Sequence, residues 1–381
     1  MPTVNEALRD DAIAHAVDMQ HYSANVLRRI IALLNRTDAD IAAQIAAALD
    51  AGPPGASVQR LDALLDSVRG LNAQAYAAVS DALQREVQSL AGYEAERQIE
   101  AWRSALDDAG APVVVGAQAG ATIAIALTAV PPATAYAAAM SRPFQGRLLS
   151  EWMQTLESDR AARIRDTVRM GYLEGQTTDQ IVRRVRGTRA GKYADGILQI
   201  DRRNAEAVVR TALSHTAATA RSLVTEANAD LISDLVWAAT LDTRTSEICR
   251  PRDGKRYTVD AKHKPIGHDL PWLGGPGRAH WNCRSVEVHT IKAWDELGIT
   301  MPPATRASMD GQVPAETTYA EWLARQPMDR IEEVLGPSRA KLFKEGGLPL
   351  DKFSARDGHY LTLDELRKRD AEAFKRAGLA A

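Results

Sequence analysis

Apolar residues recur at three- and four-residue intervals through most of the first 230 residues, the spacing of one face of an α-helix. The clearest run is Tyr76, Val79, Leu83, Val87 and Leu90. The pattern predicts helices at about 5–35, 57–108, 145–173 and 201–229. Thr37 and Asp38 are expected to cap a separate helix that ends near residue 51. Gly175 is expected to end the third of these helices, and Thr177 to cap a short helix after it.

The pattern changes beyond residue 230, where short apolar runs replace helical periodicity. Residues 235–240 are rich in β-formers, and 285–290 alternate apolar with polar positions, so both are predicted strands. A third, short strand is predicted at 255–257, after a turn at Asp253 and Gly254. A Gly- and Pro-rich loop separates the last two strands. Together these elements predict a compact α+β module.

Composition narrows the class of protein. Hydrophobic residues make up 45% and charged residues 25% of the 381 positions, as in a globular protein with a buried core. Aromatic residues are only 5%, which favours close-packed helices. The predicted fold is therefore α+β and mostly α. The predicted regions are a helical docking region (1–110), an uncharged apolar linker (111–141), a helical region (142–230), the α+β module (231–295) and a C-terminal extension (296–381).

Charge is unevenly distributed although the whole chain is close to neutral. Residues 1–110 contain nine arginines and sixteen acidic residues, a formal charge of −7, and are expected to dock on a basic surface of another protein. Residues 141–210 carry +5. Seven arginines in that segment permit nonspecific nucleic-acid contact, although acidic neighbours favour a solvated or protein-facing surface: Arg160, Arg163, Arg165, Arg169, Arg183, Arg184 and Arg186.

Residues 111–130 form the only stretch that needs a membrane test. Its twenty uncharged residues could just span a bilayer. Glycine, glutamine and threonine dilute its hydropathy, and Pro131 and Pro132 are expected to end any helix there. Burial within protein is the favoured interpretation, with conditional membrane contact as the alternative. The chain start, with charges at Arg9, Asp10 and Asp11, does not read as a signal peptide.

The chemistry-bearing residues cluster in the α+β module, in a fixed order along the chain: Asp242, Arg244, Thr245, Cys249, Asp253, Gly254, His280, Asn282, Cys283 and Arg284. Their order and spacing resemble the phage Mu F-like head morphogenesis family, the minor head proteins of tailed bacteriophages. The resemblance covers about 210–291. A tail beginning near Thr317 resembles an extension found in many members.

The resemblance implies a structural virion protein, made in the host cytoplasm and present in multiple copies per virion at the portal vertex or capsid interior. Its implied partners are the portal protein, the major capsid protein or both. Its implied role is in head assembly, genome delivery or both. Two alternatives stay open: a metal-assisted hydrolase, nuclease or toxin-like enzyme centred on Asp242, His280 and Cys283, and a membrane-active ejection protein using 111–130.

Two cysteines exclude a disulfide-framework protein and any iron–sulfur cluster with four cysteines from this chain. If the predicted strands pair, Cys249, Cys283 and His280 come to one edge of the sheet, and the cysteines are predicted to touch. Members of the family often have two further cysteines, where this chain has Ser246 and Ser285.

Three interpretations of the cysteine pair remain. The thiols could be reduced and packed together, which is the preferred interpretation because the flanking cysteines are missing. They could form a Cys249–Cys283 disulfide, worth roughly 3–4 kcal/mol in the chain-entropy model. They could bind zinc with His280 and a fourth ligand, for which His268, His263 and Asp253 are candidates.

The other polar residues of the module have structural explanations. Asp242 and Arg244 lie two apart at a strand end, where a salt bridge or turn anchor accounts for them. Arg284 is expected to hold a carboxylate or backbone carbonyls. The chain contains none of the nucleotide-binding, serine-hydrolase or zinc-protease motifs, and no nucleophile–base–orienter set is evident near the module. We therefore predict that the protein is not an enzyme.

Overall fold

A computed structural model describes residues 4–50, 58–110, 113–116, 125–292, 305–314, 316–355 and 358–379. The helices are α1 (Val4–Asp50), α2 (Val58–Asp108), α3 (Pro132–Ser141), α4 (Leu149–Leu173), α5 (Thr178–Arg186), α6 (Leu198–Ala227), α7 (Tyr319–Ala324), α8 (Met328–Leu335), α9 (Pro337–Lys344), α10 (Leu363–Arg369) and α11 (Ala371–Arg376). The strands are β1 (Val113–Val115), β2 (Ile125–Leu127), β3 (Ile232–Ala238), β4 (Arg256–Tyr257), β5 (Pro265–Ile266), β6 (Val286–Ile291), β7 (Thr305–Ser308) and β8 (Gly311–Pro314). The protein is α+β and mostly helical, as predicted.

The chain divides into two compact units that interleave along the sequence. The first unit comprises Met1–Gln20, Ala91–Ala139 and Ser214–Ala381, and the second comprises His21–Leu90 and Met140–Leu213. The predicted regions divide the chain differently, because they treat 1–110 and 142–230 as separate blocks. Each of these blocks contributes residues to both units.

Helix α1 is continuous, so the predicted cap at Thr37 and Asp38 is wrong. Thr37 Oγ1 donates to the Leu33 carbonyl within the same helix, at 3.4 Å. Asp38 is buried and accepts hydrogen bonds from Arg160 and Arg202. The carboxylate thus serves tertiary ion pairs and does not cap a helix, a case in which tertiary contacts override a local sequence signal.

The second unit has an aliphatic core made by α1, α2, α4, α5 and the start of α6. Its buried residues are Ile41, Ile45, Leu64, Leu65, Val68, Ile164, Val168, Ile181, Val185 and Leu198. The predicted helix end at Gly175 (φ +67°) and cap at Thr177 are confirmed. Thr177 Oγ1 accepts from the Gln180 N–H, and Gln180 Oε1 accepts from the Thr177 N–H, which is a capping box.

The described part of the apolar segment contains two short strands and a helix. Strands β1 and β2 pair in parallel, and Asn228 holds the chain after β2 through both the N–H and the carbonyl of Thr128. Pro132 begins α3, whereas the sequence analysis predicts that it ends a helix. Proline suits the first turn of a helix, because its missing N–H needs no partner there. Residues 111, 112 and 117–124 lie outside the described residues. Among the helices described, none is both long and apolar enough to cross a bilayer.

The first unit is built around a four-stranded antiparallel sheet in the order β5-β4-β3-β6. Val236 pairs with Val288, and Leu235 with Tyr257, which confirms the predicted pairing of the module's strands. Both faces of β3 are buried. Trp237 points into a large core that includes Trp102 of α2, whereas the opposite face packs against the start of α1.

The C-terminal residues 305–379 add a hairpin, β7–β8, and five short helices to the first unit. Capping boxes at Thr318 and Thr362, paired with Glu321 and Glu365, begin α7 and α10. These helices share one core, whose fully buried members include Tyr319, Trp322, Leu323, Ile331, Leu342, Phe353 and Phe374. Leu241, which follows β3, lies in the same core, so this segment packs directly on the module.

Candidate functional site

The end of β3 is tied to the start of β6 by a bidentate ion pair. Arg284 donates to both carboxylate oxygens of Asp242, at 2.5 and 2.7 Å. Asp242 also accepts from the Arg244 N–H at 3.0 Å and from Thr245 Oγ1 at 3.2 Å. Thr245 Oγ1 bonds the Thr240 carbonyl, which closes the turn. This geometry agrees with the turn anchor predicted at Asp242 and with the carboxylate contact predicted for Arg284. The Arg244 guanidinium, by contrast, is largely exposed.

The electrostatics of Asp242 follow from these contacts. Burial alone would raise the pKa of this carboxyl, but the Arg284 guanidinium and the Thr245 hydroxyl hold its pKa below the usual range. An ionised carboxylate whose oxygens already accept several hydrogen bonds has little capacity left to act on a substrate. Asp242 is therefore a brace between two strands.

Asp253 forms a second brace, which reaches the C-terminal segment. Its carboxylate accepts from the Ala239 N–H at 2.7 Å, from the Tyr319 N–H at 2.5 Å and from Arg306 at 3.1 and 3.2 Å. Gly254 follows with φ +74°, and its N–H donates to the Trp237 carbonyl at 2.8 Å. The turn was predicted from Asp253 and Gly254; the partners Arg306 and Tyr319, 53 and 66 positions away, were not.

Cys249, His280 and Cys283 meet within the module, in the chain segments that precede β4 and β6. The two Sγ atoms are 3.8 Å apart, and Cys249 Sγ is 3.1 Å from His280 Nε2. Both thiols are free and buried. The three potential ligand atoms all lie within 4.8 Å of one another. The predicted contact between the cysteines is present, and His280 lies beside them, as the sequence analysis also predicts.

The chain around Cys283 is shaped by two backbone positions. Asn282, with φ +57°, turns the chain between His280 and Cys283 in the left-handed region that asparagine tolerates. Gly277, with φ +78°, lies against α6, where an added Cβ would approach Ala218 Cβ to 3.0 Å. Its N–H donates to Cys283 Sγ at 3.3 Å. The turn and the close approach together aim the thiol inward.

The three groups differ in their proton affinities. Burial, followed by the neighbouring Cys283, raises the pKa of Cys249 well above its usual value. The hydrogen bond from Cys249 outweighs burial at Cys283 and, with the Ser285 and Gly277 N–H groups, lowers its pKa to about 7. Burial opposes protonation of His280, but its contact with Cys249 leaves the His280 pKa raised.

The other candidate metal ligands lie elsewhere. His268 Nε2 contacts the Arg256 carbonyl at 2.9 Å, and its Nδ1 accepts from the Leu270 N–H at 3.2 Å. His263 bonds the Thr258 carbonyl at 3.1 Å. Asp253 is fully engaged in its brace. The fourth ligand proposed from sequence is thus not supplied by any of these residues.

A buried charge network was not predicted from the sequence. Glu94 of α2 accepts hydrogen bonds from Arg221 of α6 and lies 2.7 Å from His15 of α1, and all three side chains are buried. Next to it, the strand residues Glu287 and His289 are also buried. Alternation in β6 predicts only that its polar residues share a face; that this face packs on helices depends on tertiary structure.

A second unpredicted feature is the clustering of the few aromatic residues. Trp272 stacks edge-on against Trp237 and Tyr257, with ring centroids 5.6 and 4.8 Å apart, and lies 4.7 Å from His263. Arg252 is buried beside them and donates to the Pro271 carbonyl at 3.0 Å. The core is therefore locally rich in aromatic residues, although the chain as a whole contains few of them.

The arginines considered for nucleic-acid contact are mostly paired within the second unit. Arg160 and Arg163 bind the buried carboxylates of Asp38 and Asp201. The more exposed ones also have acidic neighbours: Arg165 with Asp166, Arg169 with Asp62, and Arg184 with Glu174. This pairing reduces the positive charge available to a phosphate backbone.

Comparison with known proteins agrees with the sequence resemblance. No curated protein and no solved structure matches the chain. A family model does match, over residues 162–288, and its description is Phage Mu protein F like protein. The matched range extends the resemblance seen at 210–291 toward the N-terminus, through α5 and into α4. It contains the Asp242–Arg284 brace, the cysteine pair and Asp253, whose partners Arg306 and Tyr319 lie beyond it. Residues 162–288, a third of this chain, are thus similar to the family described as Phage Mu protein F like protein.

Proposed function

We propose that this protein is a structural component of a tailed-phage head, a minor head protein at the portal vertex or capsid interior. The observation that carries the proposal is the family match over 162–288. The polar residues of that region support it, because Asp242 and Arg284 link two strands and Asp253 links the sheet to the C-terminal helices. Their chemistry is that of a scaffold.

A noncatalytic role is part of the proposal. Cys249 and Cys283 are only 1% and 2% exposed, so a substrate has no direct path to either thiol. Burial raises the pKa of Cys249, which makes it a poor nucleophile. The pKa of Cys283 is lowered to about 7, but its buried sulfur is already in contact with Cys249 Sγ and the Gly277 N–H. Asp242 is bound by Arg284. The alternative of a hydrolase or nuclease centred on Asp242, His280 and Cys283 gains no support from this arrangement.

We further propose that the acidic helices α1 and α2 dock on a basic surface of the portal or major capsid protein. Several of their acidic residues are spent on internal ion pairs, Asp38 and Glu94 among them. Others are exposed, although four of them, Asp62, Asp66, Glu100 and Asp107, also lie beside arginines. The exposed acids are Asp18, Asp40, Asp50, Asp62, Asp66, Asp81, Glu96, Glu100, Asp107 and Asp108. The exposed set retains the negative sign that a basic partner would recognise.

The proposal is tested on purified phage particles. We expect the protein to co-purify with DNA-filled heads in a fixed, small number of copies relative to the portal protein, measured by quantitative mass spectrometry. Phage in which its gene carries a stop codon should fail to give normal heads or to deliver DNA. Its absence from particles that assemble and infect normally would refute the proposal.

The docking surface is tested separately by charge reversal. Asp66→Lys with Asp81→Lys, two exposed positions of α2, should reduce incorporation into heads while the variant stays folded. Arg183→Glu with Arg189→Glu, at exposed basic positions, is the matched control and should be incorporated normally. Equal incorporation of both variants would place the docking surface elsewhere without affecting the assignment to the head.

A further inference from the structure

We infer that Cys249, His280 and Cys283 form a binding site for zinc or a similarly thiophilic divalent cation, completed by Ser246 or a water molecule. This inference concerns the chain itself and does not depend on its role in a phage head. It rests on the placement of four side chains around one point. Their distances and orientations can be compared with the geometry that zinc requires.

The sulfur separation fits a shared metal. Tetrahedral zinc holds thiolates at about 2.3 Å, which places two of them roughly 3.8 Å apart. Cys249 Sγ and Cys283 Sγ are 3.8 Å apart. A disulfide would need the same atoms at about 2.05 Å, nearly half that distance. The pair is therefore spaced for two ligands of one ion.

The histidine is oriented as a metal ligand. His280 Nδ1 lies 2.8 Å from the Trp281 carbonyl oxygen, which can only accept a hydrogen bond. In the neutral ring Nδ1 thus carries the proton, and Nε2 presents its lone pair toward Cys249 Sγ, 3.1 Å away. Metal-bound histidines characteristically donate their other N–H to a carbonyl or carboxylate in this way, which fixes the ring.

The site is preformed and shielded from solvent. Both cysteines are at least 98% buried, and the Gly277 N–H already donates to Cys283 Sγ, a contact that favours a thiolate. Binding would replace the thiol protons of Cys249 and Cys283 by two sulfur–metal bonds and release up to two protons to solvent. Burial without a cation would leave these thiolates unfavourable, which is the reason that the metal and the deprotonation go together.

The fourth position lies at Ser246. Its Oγ is 2.7 Å from His280 Nε2 and 3.2 Å from the Cys249 N–H, so it borders the same point as the three ligands. Among the described residues the cluster has no fourth histidine, cysteine or carboxylate. A hydroxyl or a water is a weaker ligand than a thiolate, and the site should accordingly bind zinc less tightly than a four-ligand site does.

The test uses the full chain, purified under reducing conditions, stripped with a chelator and titrated with Co²⁺ as a spectroscopic substitute for zinc. We expect about one ion per chain, thiolate-to-cobalt charge-transfer absorption and the visible bands of tetrahedral cobalt, all displaced by Zn²⁺. Loss of an outer-shell partner already costs roughly 10- to 100-fold in metal affinity. Cys283→Ser removes a ligand and should cost about 100-fold or more.

Matched variants separate the site from general effects. His268→Gln, in the same module but outside the cluster, should bind cobalt like the wild type. Ser246→Cys supplies a third thiolate and should tighten binding and intensify the charge-transfer band. If Cys283→Ser fails to fold, Ser246→Cys decides alone. Cobalt binding without thiolate absorption, equal binding by Cys283→Ser, or no response to Ser246→Cys would overturn the inference.

Discussion

At the scale of single residues, buried ion pairs carry the structure more than surface charges do. Glu94 is the clearest case, because it is 1% exposed and contacts both Arg221 and His15. Removing one partner of a buried pair leaves the other charge uncompensated, at a typical cost of 3–5 kcal/mol. Its carboxylate is therefore expected to matter far more than any exposed acid on the same helix.

The pH dependence of stability should report on Glu94. The Arg221 and His15 contacts outweigh burial and lower the pKa of Glu94 to about 2, from 4.5. A depressed pKa stabilises the folded state fully above pH 4.5, and this contribution is lost as pH falls from 4.5 toward 2. The shift corresponds to about 3 kcal/mol. Urea unfolding should show Glu94→Gln to be several kcal/mol less stable than wild type at pH 7, with a smaller difference at pH 3.

The exposed neighbour Glu96→Gln is the control and should unfold like the wild type at both pH values. A Glu94→Gln deficit of the same size at pH 3 and pH 7 would mean that the charge of Glu94 is not the source of its effect.

The Asp242–Arg284 pair gives a second residue-scale prediction. Asp242→Asn removes the charge that Arg284 contacts through two hydrogen bonds, and hydrogen bonds to charged groups are worth about 1.5–3 kcal/mol. We expect a loss of about that size in the free energy of unfolding. Arg244→Gln changes the exposed neighbour at 3.8 Å and should cost less than about 0.5 kcal/mol. Equal losses in the two variants would contradict the bracing role of Arg284.

Single residues also show which contacts a sequence can reveal. The meeting of Cys249 and Cys283 was predictable, because Cys249 follows β3 along the chain, Cys283 precedes β6, and these two strands pair. The partner of Asp253 was not, since Arg306 lies outside the module and no local pattern links it to the turn. Local signals specify turns and strands; the partners of a buried charge depend on which elements pack together.

At the scale of elements, helix α1 shows how a tertiary contact overrides a capping signal. Asp38 looks like an N-cap in sequence, yet it lies inside a continuous helix and accepts hydrogen bonds from Arg160 and Arg202. The two guanidiniums come from α4 and α6, so one carboxylate connects three helices of the second unit. Burial nevertheless outweighs both arginines and raises the pKa of Asp38.

The role of Asp38 can be measured by a neighbouring pair of substitutions. Asp38→Asn keeps the size of the side chain but leaves Arg160, 1% exposed, without its anionic partner, so we expect a loss of stability. Because burial raises the pKa of Asp38, removing the buried carboxylate offsets part of this loss, which should be smaller than that of Glu94→Gln. Asp40→Asn, at an exposed position two residues on, should change stability by less than about 0.5 kcal/mol. Chemical denaturation followed by circular dichroism measures both. If Asp38→Asn leaves the free energy of unfolding unchanged, the contacts of Asp38 with the arginines do not stabilise the protein.

At the scale of the whole molecule, the hydrophobic core of the α+β module includes residues from outside the module. The sheet packs against residues from three separated parts of the chain, all within the first unit. The start of α1 supplies Val4 and Leu8, and Asn5 Oδ1 accepts from the Ile291 N–H at 2.9 Å. The end of α2 supplies Trp102, which lies edge-on to His289 with ring centroids 5.1 Å apart. Sequence periodicity located these helices but could not show that they complete the module.

This sharing argues against treating residues 1–110, the docking region predicted from the sequence, as separable from the module. Deleting 1–110 removes eight buried apolar members of the module's core, among them Leu8, Ile99 and Trp102. The burial of each large aliphatic or aromatic side chain contributes about 1.5–3 kcal/mol. The sum of these contributions is comparable to the whole free energy of unfolding of a typical domain, about 5–15 kcal/mol. The truncated protein should therefore lack a cooperative thermal transition and expose its tryptophans, as measured by calorimetry and fluorescence.

The charge reversals at Asp66 and Asp81 alter the proposed docking surface without disturbing the core. A sharp unfolding transition in the 111–381 fragment, at the temperature of the full chain, would show that the module is autonomous after all.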